Sequence, residues 1–242
     1  MRKKNYPALL HGHGPGRNSP YNDASLVSFF ISKVSLFDSL PPAALRELAG
    51  ACVPRKYAKE ELVCRAGEPA DSIYIIKEGL IQLNRCSWKG GNIAIEVLVP
   101  GDAFGFAALG EKTWPVNAAA MKPSHLFAIS RDRMLGIMNR HPVVSKMVIF
   151  HFVQRLRFLG TQVFLSREPV EKRLIAALLY LSPKFGSEIP LTCADIGALA
   201  GTTPETTMRM FANLRKTGDI KTSRGKVLIT DIPALKAKLG YD

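Results

Sequence analysis

The sequence predicts an α+β chain with an N-terminal antiparallel β-roll of jelly-roll type, one long helix, and a C-terminal helix-turn-helix followed by a hairpin. Three observations carry that reading. Between Arg55 and Ala128, β-rich runs such as "SIYIIK", "LIQLN", "NIAIEVLV" and "SHLFAIS" are divided by Gly67, Gly79, Gly90, Gly91, Gly101 and Gly105, the rhythm of a roll. After Ser130 the apolar period turns helical and stays so to about Leu165. From Cys193 to Gly218 two helical patterns meet at Gly201, and "DIKTSRGKVLIT" follows with a turn at Arg224 and Gly225.

Residues 1–23 read as a mobile basic tail, rich in Gly, Pro, Asn and charge. In it, His11 and His13 are either metal or haem ligands or a pair of solvated histidines. Residues 24–141 read as the roll with flanking helices. Ser39 and the paired prolines Pro41 and Pro42 mark a helix start, with Leu45, Leu48 and Ala49 as its buried stripe.

Residues 142–166 hold the long helix. Ile149, Phe152, Leu156, Leu159 and Val163 recur at spacings of three and four, the seam of a two-stranded coiled coil. The plain alternative is packing on its own domain. Val148, Val153, Phe158 and Phe164 widen the stripe enough to serve both the roll and a second copy, so the pattern predicts a homodimer. A break at Ser166 to Pro169 precedes the C-terminal domain, residues 167–242.

In that domain Cys193 to Ala200 offers Ile196 and Leu199 as an inward face, and Gly201 permits a tight turn. Thr203 is placed as N-cap of the next helix, with Pro204 at its first position and Glu205 in its first turn. Thr207, Met210, Phe211 and Leu214 face inward by period, and Gly218 closes the helix. Pro204, Glu205, Met208, Arg209 and Ala212 remain outward. Glu205 and Arg209, four apart, are either an ordinary ion pair or groups read against base edges, Arg taking guanine O6 and N7 and Glu accepting from cytosine N4.

Of 242 residues, 33 are Lys or Arg and 20 are Asp or Glu, a net charge of +13 that favours nucleic acid or another anionic partner. Cys52, Cys64, Cys86 and Cys193 are scattered without zinc-ligand spacing, which predicts free thiols and a cytoplasmic location. No run of about 18 apolar residues occurs, so no membrane-spanning helix is expected. No nucleophile, base and orienter can be picked out, which argues against an enzyme.

From about Leu36 to its end the chain resembles transcription regulators of the CRP/FNR family. "GEPADSIYIIKEG" and "GDAFG" resemble the roll's glycine framework, and "LTCADIGALAGTTPETTMRM" resembles the helix-turn-helix signature. The resemblance implies a cyclic-nucleotide-binding-like roll, a dimerisation helix, a winged helix, and double-stranded DNA and RNA polymerase as partners. It implies that Glu205 and Arg209 read a TGA-type half-site. Pro204 stands where the cyclic-AMP-binding members carry a further base-reading arginine, and Met208 presents a thioether to a thymine methyl. Thr203, Lys221, Arg224 and Lys226 are the expected backbone contacts.

The family binds the phosphate and ribose of cyclic AMP through an arginine and a glutamate after "GDAFG". This chain has Phe106 in place of the glutamate, and Val116 and Asn117 in place of arginine and serine, which argues against cyclic AMP. Trp114, Pro115, Val116 and Phe106 either line an apolar pocket or fill the core. The tail lacks the family's cysteine cluster, which argues against an iron-sulfur centre. Haem stays open as a cofactor, with His151, His11 and His13 as candidates; His125 and His141 read as structural. Cys193 opens a helix, where a thiol pKa should be lowered, so it is a candidate redox switch, with ordinary packing as the alternative. Two other readings remain: a haem- or redox-based gas sensor, and a sensor module acting through protein contacts.

Overall fold

The computed structural model describes residues 24–86 and 92–240. The tail, with His11 and His13, lies outside the described residues. Two helices open the fold, α1 (Ala24–Ile31) and α2 (Pro42–Ala51), and they pack together. The start of α2 corrects the sequence expectation. Pro41 is its N-cap and Pro42 its first residue, while the Ser39 hydroxyl donates to Asp38 at 2.7 Å instead of capping. Ala44, Leu48 and Ala49 are buried, with Leu45 half-buried.

The roll is a six-stranded sheet of β1 (Val53–Tyr57), β2 (Leu62–Cys64), β3 (Ser72–Cys86), β4 (Asn92–Leu98), β5 (Ala103–Phe104) and β6 (Asn117–Ser130). Its order is β1-β6-β3-β4, with β2 on β6 and β5 on β3. β1 runs antiparallel to β6 from Val53 opposite Ala128 to Tyr57 opposite Ser124. The runs "SIYIIK" and "LIQLN" prove to be one strand. β3 continues through Gly79 because Ser124 of β6 lies against it, and the Leu80 amide donates to Ser124 Oγ at 3.3 Å. Ile73, Ile75, Ile76 and Ile81 are fully buried, each contributing about 1.5–3 kcal/mol by removal from water.

The strands lead into α3 (Arg131–Arg140) and α4 (Pro142–Leu165). Ser130 caps α3 by accepting from the Arg133 amide. At its other end the Glu47 carboxylate of α2 pairs with Arg140 and lies 2.8 Å from His141 Nε2. Arg140 first, and then His141, hold the Glu47 carboxyl below the usual range.

The C-terminal elements are α5 (Val170–Phe185), β7 (Glu188–Ile189), α6 (Cys193–Leu199), α7 (Pro204–Lys216), β8 (Ile220–Ser223), β9 (Lys226–Ile229) and α8 (Ile232–Leu239). A small sheet, β7-β9-β8, forms the wing, turning at Arg224 and Gly225. The sequence reading ended at this hairpin and missed α8. Asp231 caps α8, accepting from the Ala234 amide at 2.8 Å, Pro233 sits in its first turn, and the fully buried Leu235 helps it pack on α5.

The described fold falls into two compact units. One runs to Ile81 and adds Pro100–Pro115 and Ala119–Ser145; the other gathers Gln82–Val99, Val116–Ala118 and the chain from Lys146 onward. Inside the second unit, Glu96 of β4 is an acidic residue only 4 % exposed. It accepts from Tyr180 at 2.7 Å, pairs with Arg155, and has Lys184 at 3.7 Å. One carboxylate thus joins β4, α4 and α5.

Candidate nucleic-acid interface

Helices α6 and α7 meet at unusually short range. A Cβ on Gly197 would fall 2.2 Å from Thr207 Oγ1, so only glycine permits the approach. Thr207 is fully buried, and its hydroxyl donates to the Thr203 carbonyl at 2.9 Å. The intervening turn places Gly201 at φ +63°. Thr192 and Asp195 form a capping box at the start of α6. Thr203 caps α7 by accepting from the Thr206 amide at 3.2 Å, with Pro204 first in the helix. An N-cap of this kind contributes about 1 kcal/mol.

Phe211 and Leu214 bury one face of α7, leaving Pro204, Glu205, Met208 and Arg209 exposed at its N-terminal half. Met210 is half-buried. Among the described residues no ion pair joins Glu205 to Arg209. Instead, a hydrogen bond from its own backbone amide, and then one from Thr203, hold the Glu205 carboxyl below the usual range against a small desolvation. The acid is therefore ionised, an acceptor-only group at the exposed start of a helix.

On the wing, Lys221 and Arg224 are exposed. Lys226 is also exposed, but its ammonium is engaged by Glu188 at 2.9 Å, so a phosphate would have to compete with that carboxylate. Arg215, which sequence reasoning passed over, reaches from the last turn of α7 to Thr222 Oγ1 at 2.9 Å and lies beside the wing.

Behind this surface the Asp219 side chain is buried and accepts from Thr217 and Lys238. Burial alone would push its carboxyl up, but those hydrogen bonds and the Lys238 charge hold it below the usual range. A depressed folded-state pKa adds stability above the unfolded value and loses it as pH falls through the folded one. Asp219→Asn should therefore destabilise by about 1–3 kcal/mol at neutral pH. That cost should shrink as pH falls below about 4 in urea unfolding.

Cys193 is the first residue of α6, yet burial pushes its thiol pKa up, and the nearby Arg215 charge opposes that only in part. Desolvation outweighs the helix terminus, so the site does not favour a thiolate. Cys52 is pushed up to about 12 by burial. In the roll, Phe106 and Trp114 are each 5 % exposed and fill the core, where Tyr74 stacks on Phe104 at 5.1 Å and lies 6.2 Å from Trp114. Pro115 is exposed and Val116 half-buried. His151 stands edge-on to Phe152 on α4, and no metal-binding group of three or more His, Cys, Asp or Glu occurs among the described residues.

The seam of α4 is open. Ile149, Phe152, Leu156, Leu159 and Val163 are 61, 42, 68, 44 and 66 % exposed, whereas Val148 is buried. No helix of the described residues is long and apolar enough to cross a membrane.

The family profile described as "Cyclic nucleotide-binding domain" matches residues 54–141, and the one described as "Crp-like helix-turn-helix domain" matches residues 172–238. The chain belongs to the CRP/FNR family. Within that family of transcription regulators it is similar to the Cyclic AMP receptor protein of Thermus thermophilus, 26 % identical over 204 residues, or 83 % of this chain and 94 % of the relative. It is 25 % identical to the Fumarate and nitrate reduction regulatory protein of Salmonella typhimurium over 194 residues, 76 % of this chain and 77 % of that one. The solved structure of FixK2 from Bradyrhizobium japonicum superposes with a TM-score of 0.72 at 19 % identity, over 77 % of this chain and 96 % of that chain, and so shares the CRP/FNR fold.

Proposed function

We propose that this CRP/FNR-family protein is a sequence-specific regulator that binds a palindromic DNA site as a homodimer in the cytoplasm. Glu205 and Arg209 of α7 read a TGA-type half-site in the major groove, with half-sites about one helical turn apart. The observation that carries this reading is that the two side chains are exposed and four residues apart on α7, yet make no bond to each other. Met208, 54 % exposed between them, adds an apolar contact. Thr203, Lys221 and Arg224 supply phosphate contacts, Lys226 after exchange with Glu188, and binding falls steeply with salt. Its effector is not cyclic AMP, because a core-buried phenyl ring, Phe106, replaces the family's carboxylate. RNA polymerase is the protein partner that the family resemblance supports.

Arg209→Ala tests the reading. On a TGA-type duplex the affinity should fall by about 1–3 kcal/mol and specificity should relax at one base pair. Fluorescence anisotropy on a panel of single-base variants measures both. An equal loss on every sequence would make Arg209 a phosphate contact and sink the assignment.

A further inference from the structure

A cavity of about 140 Å³ lies within the second unit, at the end of α4 and beside the turn that delivers α7. Its apolar walls include Ile95, Phe158, Leu165 and Leu199, and Gln162 and Ser166 also line it. Tyr180, another lining residue, has its hydroxyl committed to Glu96 at 2.7 Å. Arg173 is the one cation among the lining residues.

The guanidinium of Arg173 is under-satisfied. Nη1 donates to the Gly201 carbonyl over a long 3.4 Å, and Nε is buried with no hydrogen-bond partner. A buried donor left unmade is costly, and the Nε and Nη2 edge of a guanidinium is the fork that matches a carboxylate with two parallel bonds. A dry cavity of about 150 Å³ takes up benzene. The space beside Arg173 therefore suits a compact apolar body of about six atoms.

We propose that this cavity binds a small organic monocarboxylate, its carboxylate on Arg173 and its hydrocarbon body against Phe158, Leu165 and Leu199. Occupancy bonds the side chain that already holds the Gly201 carbonyl, and so acts on the turn that presents α7. This regulatory part rests on reading α7 as the DNA-contacting helix; binding of the acid does not.

The full chain is titrated with benzoate and isovalerate and with the matching amides, benzamide and isovaleramide, by saturation-transfer NMR and thermal midpoint without DNA. Both acids should bind and raise the midpoint, and the amides should bind about tenfold more weakly. Arg173→Gln should erase that difference, and Ala177→Leu, which fills the cavity that Ala177 helps to line, should remove binding of the acids. Absence of acid binding, equal binding of acid and amide, or undiminished acid binding by Arg173→Gln overturns the site. If a variant misfolds, the acid and amide comparison on the wild-type chain decides. Anisotropy on the TGA-type duplex with saturating benzoate should then show altered affinity; unchanged affinity overturns the regulatory part. A chain that binds acids but no DNA would refute the function proposed above and keep the site, and the reverse result would do the opposite.

Discussion

Leu156→Glu should leave a folded chain that sediments as a monomer and has lost its grip on a palindromic site. Leu156 is 68 % exposed at the centre of the α4 seam, so a carboxylate there costs the single chain little. In a two-fold dimer the same position occurs twice. Each leucine that leaves water on association contributes about 1.5–3 kcal/mol, and the substitution removes both. It also sets two carboxylates toward one apolar interface, where desolvation adds to the loss. A total of about 4–6 kcal/mol corresponds to weakening on the order of 10³ to 10⁴ in the dimer dissociation constant. The loss of one half-site contact from each complex then removes the gain from bivalent binding. Sedimentation velocity of both proteins, with anisotropy on one and two half-sites, reads this out; a wild-type chain that is monomeric at micromolar concentration would remove the dimer from the proposal.

Glu96→Ala is expected to be the most damaging substitution to stability, at about 2–4 kcal/mol. Glu96 is 4 % exposed and is the shared acceptor for Tyr180, Arg155 and Lys184. Removing it takes the shared acceptor from two cations and a phenol at once. The loss stays below that of a fully enclosed pair because the side chains of Arg155 and Lys184 are 27 and 18 % exposed. Lys184 also keeps its bond to the Val97 carbonyl at 3.1 Å and its place over the Tyr180 ring. Glu96→Gln, which retains an acceptor for Tyr180 but not the charge, should lose less. Denaturant unfolding of the two variants separates the charge from the hydrogen bond, and equal stability of Glu96→Ala and the parent would show that the cluster contributes nothing.

Period and punctuation were legible in the chain. The long helix was expected to run from Pro142 to Leu165 and does so, because its apolar repeat is unbroken and the prolines lie at and beyond its ends. The second helix of the motif was equally plain, since Thr203, Pro204 and Glu205 act within one turn of each other. Local signals failed where a neighbour in space overrode them. Gly79 looked like a strand boundary, yet β3 passes through it because Ser124 fills the place of a side chain. Helix α8 was missed because eight residues show too little periodicity, although Asp231 and Pro233 were a usable start signal.

The candidate interface divides in the same way. Sequence order alone put Glu205, Met208 and Arg209 on one helical face, because helix period is a local property. The absence of an ion pair between Glu205 and Arg209 depends on side-chain placement and emerged only in three dimensions. Lys226 looked like a free cation until the fold brought Glu188 beside it from β7, thirty-eight residues away along the chain. For Cys193 the helix terminus offered activation as one reading and ordinary packing as the other; burial, which no linear pattern records, raises its pKa.

What the sequence by itself determined is the order of roll, long helix and helix-turn-helix with its hairpin, and the residues offered on the exposed face of α7; it did not determine every element, since α8 and the continuity of β3 lay outside its reach. That order and that face follow from periodicity, capping and turn chemistry, all of which act over a few residues. Only the tertiary structure decided which charges are paired, which thiols are shielded, and that Glu96 and Arg173 matter at all. Pairing and desolvation depend on atoms far apart in the chain meeting within a few ångströms, and that information is created when the core closes.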